Sequence, residues 1–233
     1  MTQTNRTLVI MAKAPRPGSV KTRLAGSLSL QAVTELYRCL LNDTISLAQA
    51  LDHVEIAIVC PASDVEDLSH AVPRTVHIVP QTGQGLAAGL ASVFTHFATR
   101  ANQRVIAFNS DSPHLPASVL ETSFDVLEAC DLVVGPTHDG GYFLVGARAS
   151  HPGLFSSDRM GTATALEALL TRARAMGLSV RLTDPFYDID LEGDLSRLAA
   201  ELRLAPARAP RTAVWLKQWG QAVAQLRTDT GDL

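Results

Sequence analysis

The sequence predicts an α/β fold with one mixed, mostly parallel sheet flanked by helices. Three observations predict it. Short apolar runs rich in Val and Ile alternate with longer segments that are apolar at helical spacing. Most of these runs are separated by enough chain for a right-handed crossover helix. One link, Asp139-Gly140-Gly141, is too short for a crossover, so the strand after it breaks the parallel series.

The elements follow in order. Residues 7–12 (TLVIMA) read as a buried strand, being short, apolar and β-branched. Pro15, Pro17 and Gly18 then make a loop. Ser29 can cap a helix reaching about Leu51, with Val33, Leu36, Tyr37, Leu40, Leu41 and Ile45 on one face. A strand at 54–59 precedes a short helix near 64–70, and a third strand covers 76–79. Gly83 and Gly85 open a helix over 86–98. A strand at 104–109 leads to a helix from Pro116 to about Glu128. Strands at 132–135 and 142–146 flank the short link. Thr162 is expected to cap a helix that ends at Met176, with Gly177 after it. A late strand covers 179–183.

Residues 1–204 are expected to form one domain. Residues 205–233 are expected to be a linker and a C-terminal amphipathic helix packed on it, with Val214, Trp215, Trp219 and Val223 as the apolar side and a fraying tail from Thr228. That helix covers either its own core or a second copy, which leaves a homodimer open.

Composition excludes several classes. The chain has 233 residues, a formal charge of -3 and 46% hydrophobic residues, which suits a folded globular protein and gives no global pull toward nucleic acid. No apolar stretch approaches the ~20 residues that span a bilayer. The cysteines, Cys39, Cys60 and Cys130, form no metal or redox motif. Their odd number, with no signal-like leader, points to the cytoplasm.

Ligands of open α/β sheets bind beyond the carboxyl ends of the strands, so the chemistry is sought there. After the first strand, Lys13, Arg16, Lys21 and Arg23 follow with no acid before Glu35. Such a loop is either a phosphate site or a solvated basic loop stiffened by proline. Gly18 permits close approach of backbone to a ligand. After the strand at 104–109 comes Ser110-Asp111-Ser112-Pro113, where Asp111 can hold a divalent cation or make a turn. After 132–135, His138-Asp139-Gly140-Gly141-Tyr142 is either a ligand-facing backbone or a tight turn. In Asp188-Ile189-Asp190, an extended backbone aims both carboxylates one way and Ile189 the other. The pair either shares a cation or caps the helix that follows.

Four stretches taken together carry a resemblance: MAKAPRPGSVKTRL at 11–24, SDSP at 110–113, GPTHDGGYFL at 135–144, and DID at 188–190. They resemble a bacterial family labelled nucleotide-diphospho-sugar transferase or glycosyltransferase. Lys21-Thr22-Arg23-Leu24 is also similar to the K-S-R-L string of 2-phospholactate guanylyltransferase. The resemblance runs from the first strand to about Leu204. It implies the glycosyltransferase-A fold, a Rossmann-like mixed sheet. It further implies nucleotide contacts from Lys13, Gly18, Lys21, Thr22, Arg23 and Gln81, with Lys21 and Asp111 as catalytic residues. Asp111, Asp190 and Asp188 would bind Mg²⁺ or Mn²⁺. Asp139, Gly140, Gly141 and Tyr142 would line the acceptor side. The chain departs from the family pattern at Gly85 and Gly89, where an acid and an arginine are common, and at Met160-Gly161-Thr162, where W-S-T is common.

The expected function is therefore metal-assisted, nucleotide-dependent transfer to a small-molecule acceptor. Transfer of a nucleotidyl group from a nucleoside triphosphate to a phosphorylated acceptor is favoured, because a concentrated basic loop suits a triphosphate. Glycosyl transfer from a nucleotide-sugar is the alternative, and a non-catalytic nucleotide-binding protein a further one. No nucleic-acid partner is expected.

Overall fold

Seven strands form one sheet in the computed structural model, which describes residues 4–99, 103–156 and 159–229, with side chains described to Gly220. The strands are β1 (Arg6–Met11), β2 (Glu55–Cys60), β3 (His77–Pro80), β4 (Arg104–Asn109), β5 (Leu132–Pro136), β6 (Tyr142–Ala147) and β7 (Val180–Leu182). The helices are α1 (Leu30–Gln49), α2 (Val65–Ala71), α3 (Gly85–Phe97), α4 (Ala117–Val126), α5 (Ala165–Ala175), α6 (Glu192–Leu204) and α7 (Pro210–Asp229). The strand order is β3-β2-β1-β4-β6-β5-β7. β6 is antiparallel to both of its neighbours, and the other pairings are parallel. The mixed sheet expected from the short Asp139-Gly140-Gly141 link is therefore the one observed.

Alternation along the strands divides the core in two. Leu8 and Ile10 of β1 face one side with Ile58, Ile106 and Phe108, under α1, α2 and α4. Val9 faces the other side with Ala57, Val105 and Ala107, under α3 and α5. Both faces are covered, so β1 and β4 read as continuous apolar runs. A third cluster joins Leu36 and Leu40 of α1 to Leu195, Leu198 and Leu202 of α6 and Leu216 of α7.

Helix starts follow local chemistry. The Ser29 side chain accepts from the Ala32 backbone N–H, as expected of an N-cap. Thr162 does not cap α5. The residue before that helix is Thr164, and Thr162 Oγ1 instead accepts from the Thr164 N–H within a turn. Gly177 follows α5 at φ +70°, where glycine is least strained.

The C-terminal helix packs Trp215 and Trp219 on the third cluster as expected, but not Val214. Val214 is exposed, whereas Thr212 and Leu216 are buried and Trp215 stacks on Trp219. The reason lies on α1. Asp43 is 1% exposed, and its Oδ2 accepts from the Thr212 backbone N–H and hydroxyl, both at 2.8 Å. Its Oδ1 accepts from the Arg211 backbone and guanidinium at 3.3 Å. Asp43 thus caps α7 from another helix, and this cap sets which face turns inward. The expected tail beyond Asp229 and the Val223 side chain lie outside the described residues.

Asp43→Ala should strip a partner from two buried donors and cost about 3 kcal/mol. A melting temperature lowered by roughly 6–12 °C would follow for a chain of this size. An unchanged melting temperature would show that α7 docks without this cap.

Candidate functional site

The order β3-β2-β1-β4 makes the chain leave β1 in one direction and return to its other side at β4. This is the switch point at which open α/β sheets open a crevice. Met11 and Asn109 are register partners at the carboxyl ends of β1 and β4. The loops that follow therefore start side by side, although nearly a hundred residues separate them. A third segment arrives from β7. Phe186 donates its N–H to Pro136 O at 3.0 Å, and Ser112 Oγ donates to Tyr187 O at 3.1 Å. Ile189 is fully buried, so its neighbours Asp188 and Asp190 face the other way, as alternation requires. Neither of them caps α6. Asp194 in its first turn reaches back to accept from the Asp190 and Leu191 N–H groups at 3.0 and 2.7 Å.

These loops enclose a cleft of about 540 Å³. Lys13, Lys21, Thr22, Arg23, Gln81, Asp111 and Asp190 line it, so residues from four separate sequence stretches converge. Tyr37, Gln84, Gly85 and Leu86 line it too. Gly18 does not. It stands at φ +77° with open space around it, which makes it a turn residue. Asp139, Gly140, Gly141 and Tyr142 also lie off the lining. Asp139 Oδ1 accepts from Thr137 Oγ1 and the Gly141 N–H, and these bonds, Thr137 first, hold its carboxyl below the usual range. Gly140 is at φ +88°, and a Cβ there would come within 2.0 Å of Ala163 O. That stretch is built as a tight turn locked against the chain before α5. Gln81 donates to both Gly83 O and Gly85 O, at 3.0 and 3.2 Å, and so braces the rim of the cleft.

Lys21 sits at the centre. Its Nζ is 2.7 Å from Asp111 Oδ2 and 2.8 Å from Asp190 Oδ1, and its side chain is only 4% exposed. Burial pulls the ammonium down, but the two carboxylates outweigh it and hold the group above its ordinary range. Arg23 joins Asp190 at 3.1 Å from the solvent side. Burial raises the Asp188 carboxyl to about 6, with Lys21 opposing and the charges of Asp190 and Asp111 adding.

Asp111, Asp188 and Asp190 each bring an oxygen within 4.8 Å of the others. Hard carboxylate oxygens in this number fit Mg²⁺ or Mn²⁺. The basic loop is less open to ligands than its composition suggests. Arg16 is turned away, bound to Asp64 at 2.7 Å and Asp67 at 2.6 Å. Among the described residues, the Lys13 side chain makes no ion pair.

Two residues were not singled out from the sequence. Tyr37 reads as one more core position of α1, yet its hydroxyl accepts from the Lys13 N–H at 3.1 Å and meets Ser110 Oγ at 3.0 Å. It ties both loops to the helix beneath them. His114 is fully buried, with its ring 4.8 Å from Phe186 and 4.6 Å from Tyr187. Among the described residues, neither ring nitrogen has a hydrogen-bond partner. Burial pushes its pKa down to about 4, with the charge of Glu201 opposing and those of Arg197 and Arg208 adding.

The comparisons with known proteins agree with this architecture. A family model described as "Uncharacterized protein conserved in bacteria (DUF2064)" matches residues 44–162. The chain belongs to this DUF2064 family. The DUF2064 segment runs from the last turns of α1 to the chain before α5 and so carries Asp111, Gln81 and the Asp139-Gly140-Gly141 turn. No protein of curated function matches in sequence. A crystal structure from Desulfovibrio desulfuricans G20, provisionally named a nucleotide-diphospho-sugar transferase, matches with a TM-score of 0.87 at 24% identity. The match covers 95% of this chain and 98% of that one. The 4-diphosphocytidyl-2C-methyl-D-erythritol synthase of Anaerococcus prevotii DSM 20548 matches with a TM-score of 0.52 at 11% identity, over 85% of this chain and 97% of that one. The fold is that of the nucleotide-diphospho-sugar transferases. Among the described residues, no helix is long and apolar enough to cross a membrane.

The buried imidazole gives a pH prediction. The folded pKa of about 4 lies below the ordinary 6.5, so above pH 6.5 both states are neutral and stability is full. Between pH 6.5 and 4 the unfolded chain takes a proton that the folded one refuses, so stability falls by up to about 1.4 kcal/mol per pH unit. Asp188, raised in the fold, acts in the opposite sense between about pH 4 and 6, so a difference measurement is needed. Denaturant melts of wild type and His114→Phe should diverge progressively below pH 6.5, the variant losing less. Parallel curves would refute the assignment.

Proposed function

We propose that this protein is a divalent-metal-assisted, nucleotide-dependent transferase that moves a nucleotidyl group from a nucleoside triphosphate to a phosphorylated small molecule. The observation that carries the reading is the convergence of Lys13, Lys21, Arg23, Asp111 and Asp190 on one cleft at the switch point. The names of its fold neighbours, one for diphospho-sugar transfer and one for a diphosphocytidyl product, support nucleotide chemistry.

In this reading Asp111, Asp188 and Asp190 would hold Mg²⁺ or Mn²⁺. The cation supplies Lewis-acid neutralisation of phosphate charge. Lys13 and Arg23 orient the triphosphate from the rim. Lys21 faces the β- and γ-phosphates. A phosphate oxygen of the acceptor attacks the α-phosphorus, the α–β bridging P–O bond breaks, and pyrophosphate leaves with the electron pair. Negative charge grows on the leaving group as Lys21 meets it, so Lys21 acts on the transition state more than on binding. The turn at Asp139, Gly140 and Gly141, with Tyr142, borders the acceptor side.

A second reading, glycosyl transfer, is favoured by the name of the neighbour with TM-score 0.87. There the leaving group is a nucleoside diphosphate. The two are separated by offering nucleoside triphosphates and nucleotide-sugars in parallel, with Mg²⁺ and pools of phosphorylated and hydroxylated acceptors. Acceptor-dependent pyrophosphate release is expected. Lys21→Met should then lower kcat by about 10²–10³ with a smaller change in KM. Release of a nucleoside diphosphate from a sugar donor, with Lys21→Met acting mainly on KM, would replace this reading by the second.

A further inference from the structure

The metal carboxylates of the proposed site already have a cation, and it belongs to the chain. Lys21 Nζ bonds Asp111 and Asp190 at 2.7 and 2.8 Å, and these are two of the three acids whose oxygens cluster within 4.8 Å. A divalent ion drawing on the same oxygens would meet the ammonium at close range in a poorly solvated place. The two compete for these carboxylates, because the ammonium and a divalent ion repel each other at such range.

The root of Lys21 is fixed by its backbone, and its tip is held by the two carboxylates. The backbone stands in the left-handed region at φ 47°, ψ 42°, as the residue that starts the 3₁₀ turn Thr22–Gly26. Its carbonyl accepts from the Leu24 N–H at 2.9 Å, and Leu24 is buried in the cluster shared with α1 and α6. Four side-chain torsions remain to carry the ammonium from the carboxylates to any anion in the cleft, which Lys13, Thr22 and Arg23 also line.

We propose that Lys21 is the resident counter-ion of the metal site and is exchanged for the divalent cation, handing its ammonium to the phosphates that arrive with it. This rests on the transferase reading above. Without phosphate, the cation must displace Lys21 into an anion-free cleft, so it binds weakly. With phosphate, the ammonium gains a new partner as it leaves the old ones, so cation and nucleotide bind cooperatively. The coupling is reciprocal, as linkage requires. Lys21 thereby gates the site: metal is accepted together with substrate and resisted on its own.

Mn²⁺ alone is the probe, titrated into wild type, Lys21→Met and Lys21→Gln and followed by electron paramagnetic resonance and calorimetry. Both neutral variants should bind Mn²⁺ at least tenfold more tightly than wild type. The gain should vanish in Lys21→Met combined with Asp111→Asn. Mn²⁺ should also raise the melting temperature of Lys21→Met more than that of wild type, because a ligand that binds only the native state stabilises it in proportion to its affinity. If Lys21→Met folds only when Mn²⁺ is present, that dependence is the same exchange read as stability. Mn²⁺ affinity unchanged or weaker in both neutral variants overturns the proposal. Tighter Mn²⁺ binding in the variants, with no thermal shift of wild type by any nucleoside triphosphate or nucleotide-sugar, supports the exchange and overturns the transferase reading.

Discussion

The structure is organised around one buried ion cluster, in which Lys21 bonds Asp111 and Asp190. Its members come from the loop after β1, the loop after β4 and the segment before α6, so no local stretch of chain can form it. Its geometry requires β1 and β4 to be paired in register and the chain after β7 to return along β5. Each carboxylate would be a liability in this half-buried place without the ammonium, and the ammonium at 4% exposure would be one without them. The fold and the site are therefore coupled: the sheet positions the charges, and the charges hold the loops that close the cleft.

Most of the architecture was legible because it rests on periodicity. The alternating runs located all seven strands, and the short link before β6 revealed the reversed strand. Ser29 was readable as a cap because capping is local. Thr162 was misread because it and Thr164 both fit the start of α5, and the turn that packs on Gly140 puts Thr164 at the position before the helix. On α7, Trp215 and Trp219 do pack on the core as their spacing suggests, and only Val214 was misplaced, for a related reason. The helix's orientation is dictated by Asp43, 168 residues away from Arg211, and no pattern within the helix encodes that.

The site was legible as a set of strand ends more than as a set of contacts. Lys13, Lys21, Thr22, Arg23, Gln81, Asp111 and Asp190 do meet in one cleft, and Asp188 clusters with the acids. What composition could not show is pairing. An acid-free stretch from Lys13 to Arg23 looks like an open positive field, yet Asp64, Asp67, Asp111 and Asp190 enter it from elsewhere. Tyr37 was hidden because a tyrosine at a core position of a helix has the same spacing whether or not its hydroxyl is used.

The ends of the sheet carry a consequence of their own. β3 has four residues, the last of them Pro80, and β7 has three, with Arg181 exposed at its middle. Each outer strand thus offers a neighbouring molecule only a short row of open backbone groups, interrupted by a residue without an N–H or guarded by a charge. A sheet with such margins resists being extended into a ribbon by its own copies, even at the high concentrations at which long bare strands template aggregation. The central strand β4 is furthest from that hazard, and β1 lies beside it, so the candidate cleft at their ends is set well inside the sheet.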